Sequence, residues 1–287
     1  MSMPSSIKLT ECPRDAMQGL HNFVPTEIKA AYINLLLQVG FDTIDFGSFV
    51  SPKAIPQMRD TAEVLQKLDL STTKSKLLAI VANYRGAEEA AQHKEITYLG
   101  YPFSISETFQ LRNTNSTIND SIELVKRMNE LCSRKQKELL VYLSMGFGNP
   151  YGDEWNSDIV HQWTEKLIDE GIKIIALADT TGVATADQIN NLYPLLSKEF
   201  PDTEFGIHLH STPNTWYEKA EAAYKSGCKR FDSALKGYGG CPMAADDLTG
   251  NIATENLIGY LQSQNAPPGL DMDKFKEAME YSGRVFG

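Results

Sequence analysis

The sequence predicts an α/β fold, a closed (β/α)8 TIM barrel with an additional C-terminal helix. Three observations carry that prediction. Eight β-rich runs alternate with segments of helical period along the 287 residues. The repeat is about 36 residues per unit, enough for a parallel strand and its crossover helix. No GxGxxG or GxxxxGK[ST] follows any run, which weakens an open nucleotide-binding sheet as the alternative. Eight units favour closure, and such barrels run to about 250 residues as one domain. The nearest candidate linker, at 113–117, is polar but short. Residues 1–287 are therefore read as a single barrel, one catalytic domain.

The elements follow in order. The first strand is expected over residues 7–12. A helix follows at 26–39, where Thr26 precedes a run with Ile28, Leu35 and Leu36 and Gly40 stops it. Strands are expected at 41–48, 77–83, 96–102 and 139–144, with helices at 87–93 and 118–134 and the segment 55–68 filling the remaining gap. Ser157 opens a helix over 157–170 that Gly171 closes, before a strand at 172–178. A helix at 185–200 leads to a strand at 205–210. Asn214 opens the next helix, 214–226, and Gly227 closes it. The last strand, 230–235, precedes a helix at 254–262, and 271–282 forms the extra C-terminal helix.

Composition limits the function classes. The 42% apolar content suffices to bury a core without staples. A net charge of −10 argues against broad binding to nucleic acid or an anionic membrane, both of which need excess Lys and Arg. The longest apolar run, 77–82, is far below the ~18 residues needed to span a bilayer. The first residues, MSMPSSIKLTEC, lack a basic end followed by an apolar core. Four scattered cysteines with no CxxC make no disulfide framework, so a cytoplasmic protein with reduced thiols is expected.

In a barrel the active site lies at the C-terminal ends of the strands, and that rule sorts the polar residues. His208 and His210 sit two apart near the end of the seventh strand. Side chains alternate in a strand, so both rings point the same way and can reach one ion. Two hydrogen-bonded histidines would be spelled identically. Just past the first strand, Arg14 and Asp15 are either a surface ion pair or a cation ligand beside a permanent positive charge for an enolate oxygen. Gly237-Tyr238-Gly239-Gly240-Cys241 follows the eighth strand as a candidate mobile loop. Cys241 is then a candidate acid–base group or a buried thiol in a Gly-rich turn. Asn251 offers a carboxamide oxygen to a hard cation, or a turn or helix cap. Asp45 on the second strand and Asp179 at the end of the sixth add two carboxylates, which could instead pair with Arg14 or cap a turn.

Together these residues resemble the hydroxymethylglutaryl-CoA lyases, within the wider group of metal-dependent barrel lyases and acyl-CoA condensing enzymes. The matching stretches are PRDAMQ at 13–18, GFDTIDFGSFVSPKAIPQM at 40–58, ADTTGVAT at 178–185, HLH at 208–210, and GYGGCPMA with GNIATENL within 237–257. Position 45 departs from the pattern, carrying Asp where those lyases carry Glu, and Ser211 stands where they carry Asp. The resemblance implies a divalent cation, Mg²⁺ or Mn²⁺, held by Asp15, His208, His210 and Asn251. It implies that Arg14 stabilises an enolate, that Cys241 moves a proton, and that a base comes from His208, Asp45 or Asp179. It implies retro-Claisen cleavage of a 3-hydroxy-acyl-CoA, with hydroxymethylglutaryl-CoA giving acetyl-CoA and acetoacetate. A homodimer is the assembly it suggests. Two alternatives stay open: another acyl-CoA substrate or the related condensing reaction, and a non-catalytic barrel that binds acyl-CoA or metal.

Overall fold

A computed structural model of the protein describes residues 7–240 and 249–287. Eight parallel strands close into a barrel in sequence order: β1 Lys8–Glu11, β2 Thr43–Ser48, β3 Lys76–Ile80, β4 Ile96–Ser104, β5 Glu138–Ser144, β6 Ile174–Asp179, β7 Glu204–Leu209 and β8 Arg230–Ser233. The register of β1 on β8, from Lys8 opposite Arg230 to Glu11 opposite Ser233, completes the ring. The helices in chain order are α1 Pro13–Gln18, α2 Thr26–Val39, α3 Thr61–Gln66, α4 Tyr84–Ala90, α5 Glu107–Thr114, α6 Ile118–Arg134, α7 Ser157–Asp169, α8 Ala186–Glu199, α9 Trp216–Lys225, α10 Thr254–Ser263, α11 Met272–Tyr281 and α12 Gly283–Phe286.

The predicted architecture is therefore the observed one, extra C-terminal helix included. Three local readings are corrected. Residues 13–18, given no element in the sequence reading, form a helix, because Pro13 presets φ in the first turn and has no N–H to leave unpaired. The third strand stops at Ile80, and α4 starts three residues before the predicted 87, since the Asn83 side chain accepts the Gly86 N–H at 2.9 Å as its N-cap. A helix, α5, takes in the start of the polar stretch at 113–117, opened by the Ser106 cap and closed by Asn115 in the left-handed region.

Strand alternation creates two apolar layers. Leu78, Ile80, Tyr98, Leu140, Tyr142, Ile174 and Ala176 cluster inside the barrel. Their immediate neighbours, such as Leu77, Ala79, Val141, Ile175 and Leu177, pack outward in the larger cluster with the helices. Which layer a charged residue enters depends on this parity alone, and the site below is built from it. Among the described residues no helix is long and apolar enough to cross a membrane.

Candidate active site

A cavity of about 440 Å³ opens at the C-terminal ends of the strands, walled by Ser48, Ile80, Pro102, Ser144, Ala178 and His208 from six of them. Arg14, Asp15, His208 and His210 also line it. Four of the predicted residues are thus brought to one wall.

Their geometry is specific. His208 Nε2 lies 3.2 Å from His210 Nε2, and His210 Nε2 lies 3.9 Å from Asp15 Oδ2. One ligand atom from each of Asp15, His208 and His210 falls within 4.8 Å of the others. Two ligands at right angles around an ion at about 2.0–2.1 Å stand about 3 Å apart, close to the spacing of the two imidazoles. Asn251 arrives by a different route. Residues 249–253 return across the barrel rim, bridging His210 to Asn251 and Ala234 to Ala253. The Asn251 Nδ2 donates to Asp15 Oδ2 at 2.6 Å and to the Tyr238 carbonyl at 2.9 Å. Both partners are acceptors, so the amide nitrogen must face them, and its buried Oδ1 has no hydrogen-bond partner among the described residues. A buried carboxamide oxygen without a donor, beside a carboxylate and two imidazoles, is the chemistry of a hard-cation site. Gly239 closes over it with φ +114°; a Cβ there would lie 2.9 Å from Asp15 Oδ2 and closer still to Asn251 Nδ2, so only glycine fits.

Charges around the four are arranged to keep them ready for an ion. Burial pushes the Asp15 carboxyl up, but the Arg14 guanidinium and both imidazoles outweigh it and hold it down at about 2. His210 is pushed down to about 4 by burial and by His208, so its ring is neutral near pH 7. Burial pulls His208 down as well, yet Asp232 lifts it above the ordinary histidine value. Asp232 Oδ2 lies 3.1 Å from His208 Nδ1. That contact places the proton on Nδ1 and turns the Nε2 lone pair toward His210.

Arg14 is clamped from two sides. Its Nε and Nη2 donate to Asp45 at 3.0 and 2.6 Å, and its Nη1 donates to Asp15 Oδ1 at 3.1 Å and Gln18 Oε1 at 2.9 Å. Gln18 in turn donates to Asp15 Oδ1 at 2.8 Å. The guanidinium is held in one plane with an edge in the cavity wall. Asp45 is fully buried beneath it and does not line the cavity. Burial raises its carboxyl to about 6 against the pull of Arg14.

The structure moves Asp179 away from the other residues. Ala178 lines the cavity and points inward, so Asp179, one residue on, points out toward the helices. Its Oδ2 accepts from Lys219 Nζ at 2.7 Å and its Oδ1 from the Val183 N–H at 2.8 Å. Cys241 lies outside the described residues. Two partners escaped the sequence reading. Asp232 had a signal, an acid at an inward position of a short strand between Phe231 and Ser233. Lys219 had none, because a lysine on the Ala-rich face of α9 is spelled like any surface lysine.

Comparison with known proteins agrees with this geometry. The family model described as HMGL-like matches residues 7–281. The hydroxymethylglutaryl-CoA lyase YngG of Bacillus subtilis (strain 168) is 30% identical over 288 residues, covering 100% of this chain and 95% of the relative. The mitochondrial hydroxymethylglutaryl-CoA lyase of Bos taurus is 31% identical over 280 residues, covering 96% and 85%. The solved structure of an HMG-CoA lyase from Acenitobacter baumannii, in complex with coenzyme A and 3-methylmalate, matches with a TM-score of 0.91 at 30% identity, covering 99% of this chain and 93% of that one. A family model spanning nearly the whole chain, full-length relatives and a shared barrel lead to one conclusion: the chain belongs to the HMGL-like family and is a carbon–carbon lyase.

Proposed function

We propose that the chain cleaves 3-hydroxy-3-methylglutaryl-CoA to acetyl-CoA and acetoacetate by retro-Claisen chemistry, with Mg²⁺ or Mn²⁺ as cofactor. The observation that carries this is the grouping of Asp15, His208 and His210 with Arg14 in one cavity, beside an Asn251 oxygen that has no partner among the described residues. The relatives are named for that substrate, and the Acenitobacter protein holds coenzyme A.

In this reading Asp15, His208, His210 and Asn251 would hold the dication. When bound, a dication there would supply acidification and orientation of the C3 hydroxyl of the substrate. His208 is the one expected base that lines the cavity, and its Nδ1 is held by Asp232. In this reading its Nε2 would take the hydroxyl proton. Asp45 and Asp179 are each committed to a cation and act as supports. As the C2–C3 bond breaks, its electron pair passes to the thioester and the charge grows on the thioester oxygen. Arg14 presents its one uncommitted Nη2–H and its fixed positive charge there, with no reorganisation. Cys241 returns a proton to the acetyl-CoA carbon. Val50, Ile55 and Tyr142 make the apolar wall beside the acyl group. We read the protein as one cytoplasmic barrel domain over 1–287, assembling as a homodimer.

Incubating the purified chain with 3-hydroxy-3-methylglutaryl-CoA and Mg²⁺ or Mn²⁺ tests the proposal. Equal release of acetyl-CoA and acetoacetate, dependent on the added ion, is expected. Turnover only with another 3-hydroxy-acyl-CoA would move the substrate assignment. Ion-independent turnover would sink the cofactor assignment.

A further inference from the structure

We propose that the barrel mouth carries a second cation site, made of Cys12, His208 and Asp232, that takes zinc or a dication of similar softness. Cys12 follows β1, His208 lies on β7 and Asp232 on β8, so the three come from neighbouring strands of a closed ring. One ligand atom from each falls within 4.8 Å of the other two. All three are buried, with Cys12 at 0% and Asp232 at 5% exposure. Strand pairing sets His208 opposite Asp232, so the cluster is preformed rather than assembled by loops.

The donors sort the ions. Thiolate, imidazole and carboxylate together suit Zn²⁺, whereas Mg²⁺ takes oxygen ligands. His208 Nδ1 and Asp232 Oδ2 are 3.1 Å apart. Two ligands about 2.0 Å from a tetrahedral ion stand about 3.3 Å apart, so an ion fits between them with small adjustment. The surroundings are anionic. Burial first, then the charges of Asp232, Asp45, Asp15 and Glu11, push the Cys12 thiol well up, so without metal it stays protonated. A dication reverses that balance: the thiol proton leaves to solvent and the sulfur becomes an anionic ligand.

The two sites share one ring. Nε2 of His208 faces His210, and Nδ1 faces Asp232. An ion on Nδ1 displaces the proton that Asp232 holds there and sets a second positive charge one imidazole away from the hard-cation position. Zinc binding and Mg²⁺ or Mn²⁺ binding therefore oppose each other. This assignment concerns ion binding alone and stands apart from the substrate.

Cobalt serves as a spectroscopic stand-in for zinc, added to the full metal-free chain. A near-ultraviolet sulfur-to-cobalt band is expected, removed by Zn²⁺ and absent in Cys12→Ser, but present in Cys241→Ser. Zinc affinity should fall about 10-fold or more in Cys12→Ser and in Asp232→Asn. Mn²⁺ binding by Cys12→Ser, followed by paramagnetic resonance, should stay at the wild-type level. Cys12→Ala is the second variant, since Cys12 packs with Ala16 and Ala234 and alanine suits that cluster if serine fails to fold. Absence of a sulfur band overturns the site, as does a band that survives loss of Cys12 or disappears with Cys241. Zinc should also inhibit the lyase, with Cys12→Ser at least about tenfold less sensitive. An intact cobalt band with Mn²⁺ binding unaffected by zinc would overturn the opposition of the two sites; absence of turnover before zinc is added would count against the lyase reading alone.

Discussion

Arg14 shows how much a single side chain here depends on its neighbours. Five acceptor contacts from Asp45, Asp15 and Gln18 fix its plane, so its cavity-lining edge is aimed before any substrate arrives. Arg14→Ala should cut kcat by about 100-fold to 1,000-fold, the ~2.7–4 kcal/mol typical of one lost oxyanion donor. Mn²⁺ titration of the same variant separates this from damage to the cation position. Arg14→Lys should recover little, because an ammonium cannot reproduce the fork held by Asp45. His208 supplies a pH dependence at the same scale. Asp232 raises its pKa above the ordinary 6.5, and the protonated ring cannot bind a cation. Mn²⁺ affinity should therefore fall as pH drops through a value above 6.5, while His210, at about 4, and Asp15, at about 2, remain competent. Affinity that stays flat down to pH 5 would remove His208 from the ligand set.

Between elements, Lys219 joins three parts of the mouth. From α9 its Nζ donates to Asp179 Oδ2 at 2.7 Å, to the Gly182 carbonyl at 2.8 Å and to the His210 carbonyl at 2.8 Å. All three protons of the ammonium are used, and the residue is 1% exposed. It thus ties β6, the loop after it and the end of β7 to one helix. Lys219→Met leaves the Asp179 charge buried and unpaired, which costs about 3–5 kcal/mol. Chemical denaturation should show that loss, and Lys219→Met with Asp179→Asn should restore part of it. The segment 249–253 is a second junction of this kind, since it brings Asn251 beside His210 from 41 positions away in sequence. Helix spacing and strand alternation operate within an element, so neither pattern registers contacts of this sort.

At the scale of the whole molecule, Glu11 sits where the ring closes. It ends β1, points outward, and accepts the Leu235 N–H at 2.8 Å and the Thr254 hydroxyl at 2.6 Å, linking the first strand to the segment after the last. Burial pushes its carboxyl up to about 8, against the lowering effect of those two donors. The folded state therefore holds this proton more tightly than the unfolded chain, whose carboxyl titrates near 4.5. Its contribution to stability is full below about pH 4.5 and declines as pH rises toward about 8. Glu11→Gln keeps the acceptor for Leu235 and removes the titration. Denaturation midpoints of the variant should change less between pH 5 and 8 than those of the wild type, with the larger gain at pH 8. The C-terminal end of the chain is tied to the same region, where Phe286 stacks on Tyr238 with ring centroids 4.3 Å apart.

Much of this could be read along the chain. Eight strands and their crossover helices follow from local period and punctuation, because a parallel barrel repeats one unit whose apolar spacing is set within about 36 residues. The pairing of His208 with His210 followed likewise, since residues two apart on a strand share a face. Strand parity also held the clue that Ala178 and Asp179 face opposite ways, although a list of acids at strand ends conceals it. What the tertiary structure alone decided is which charge neutralises which. Asp45 went to Arg14, Asp179 to Lys219 and Asp232 to His208, over separations of 31, 40 and 24 residues. Coulomb attraction and desolvation act through space, so a carboxylate becomes a ligand, a support or a latch according to the element packed against it, and primary sequence does not encode that neighbour by any local pattern.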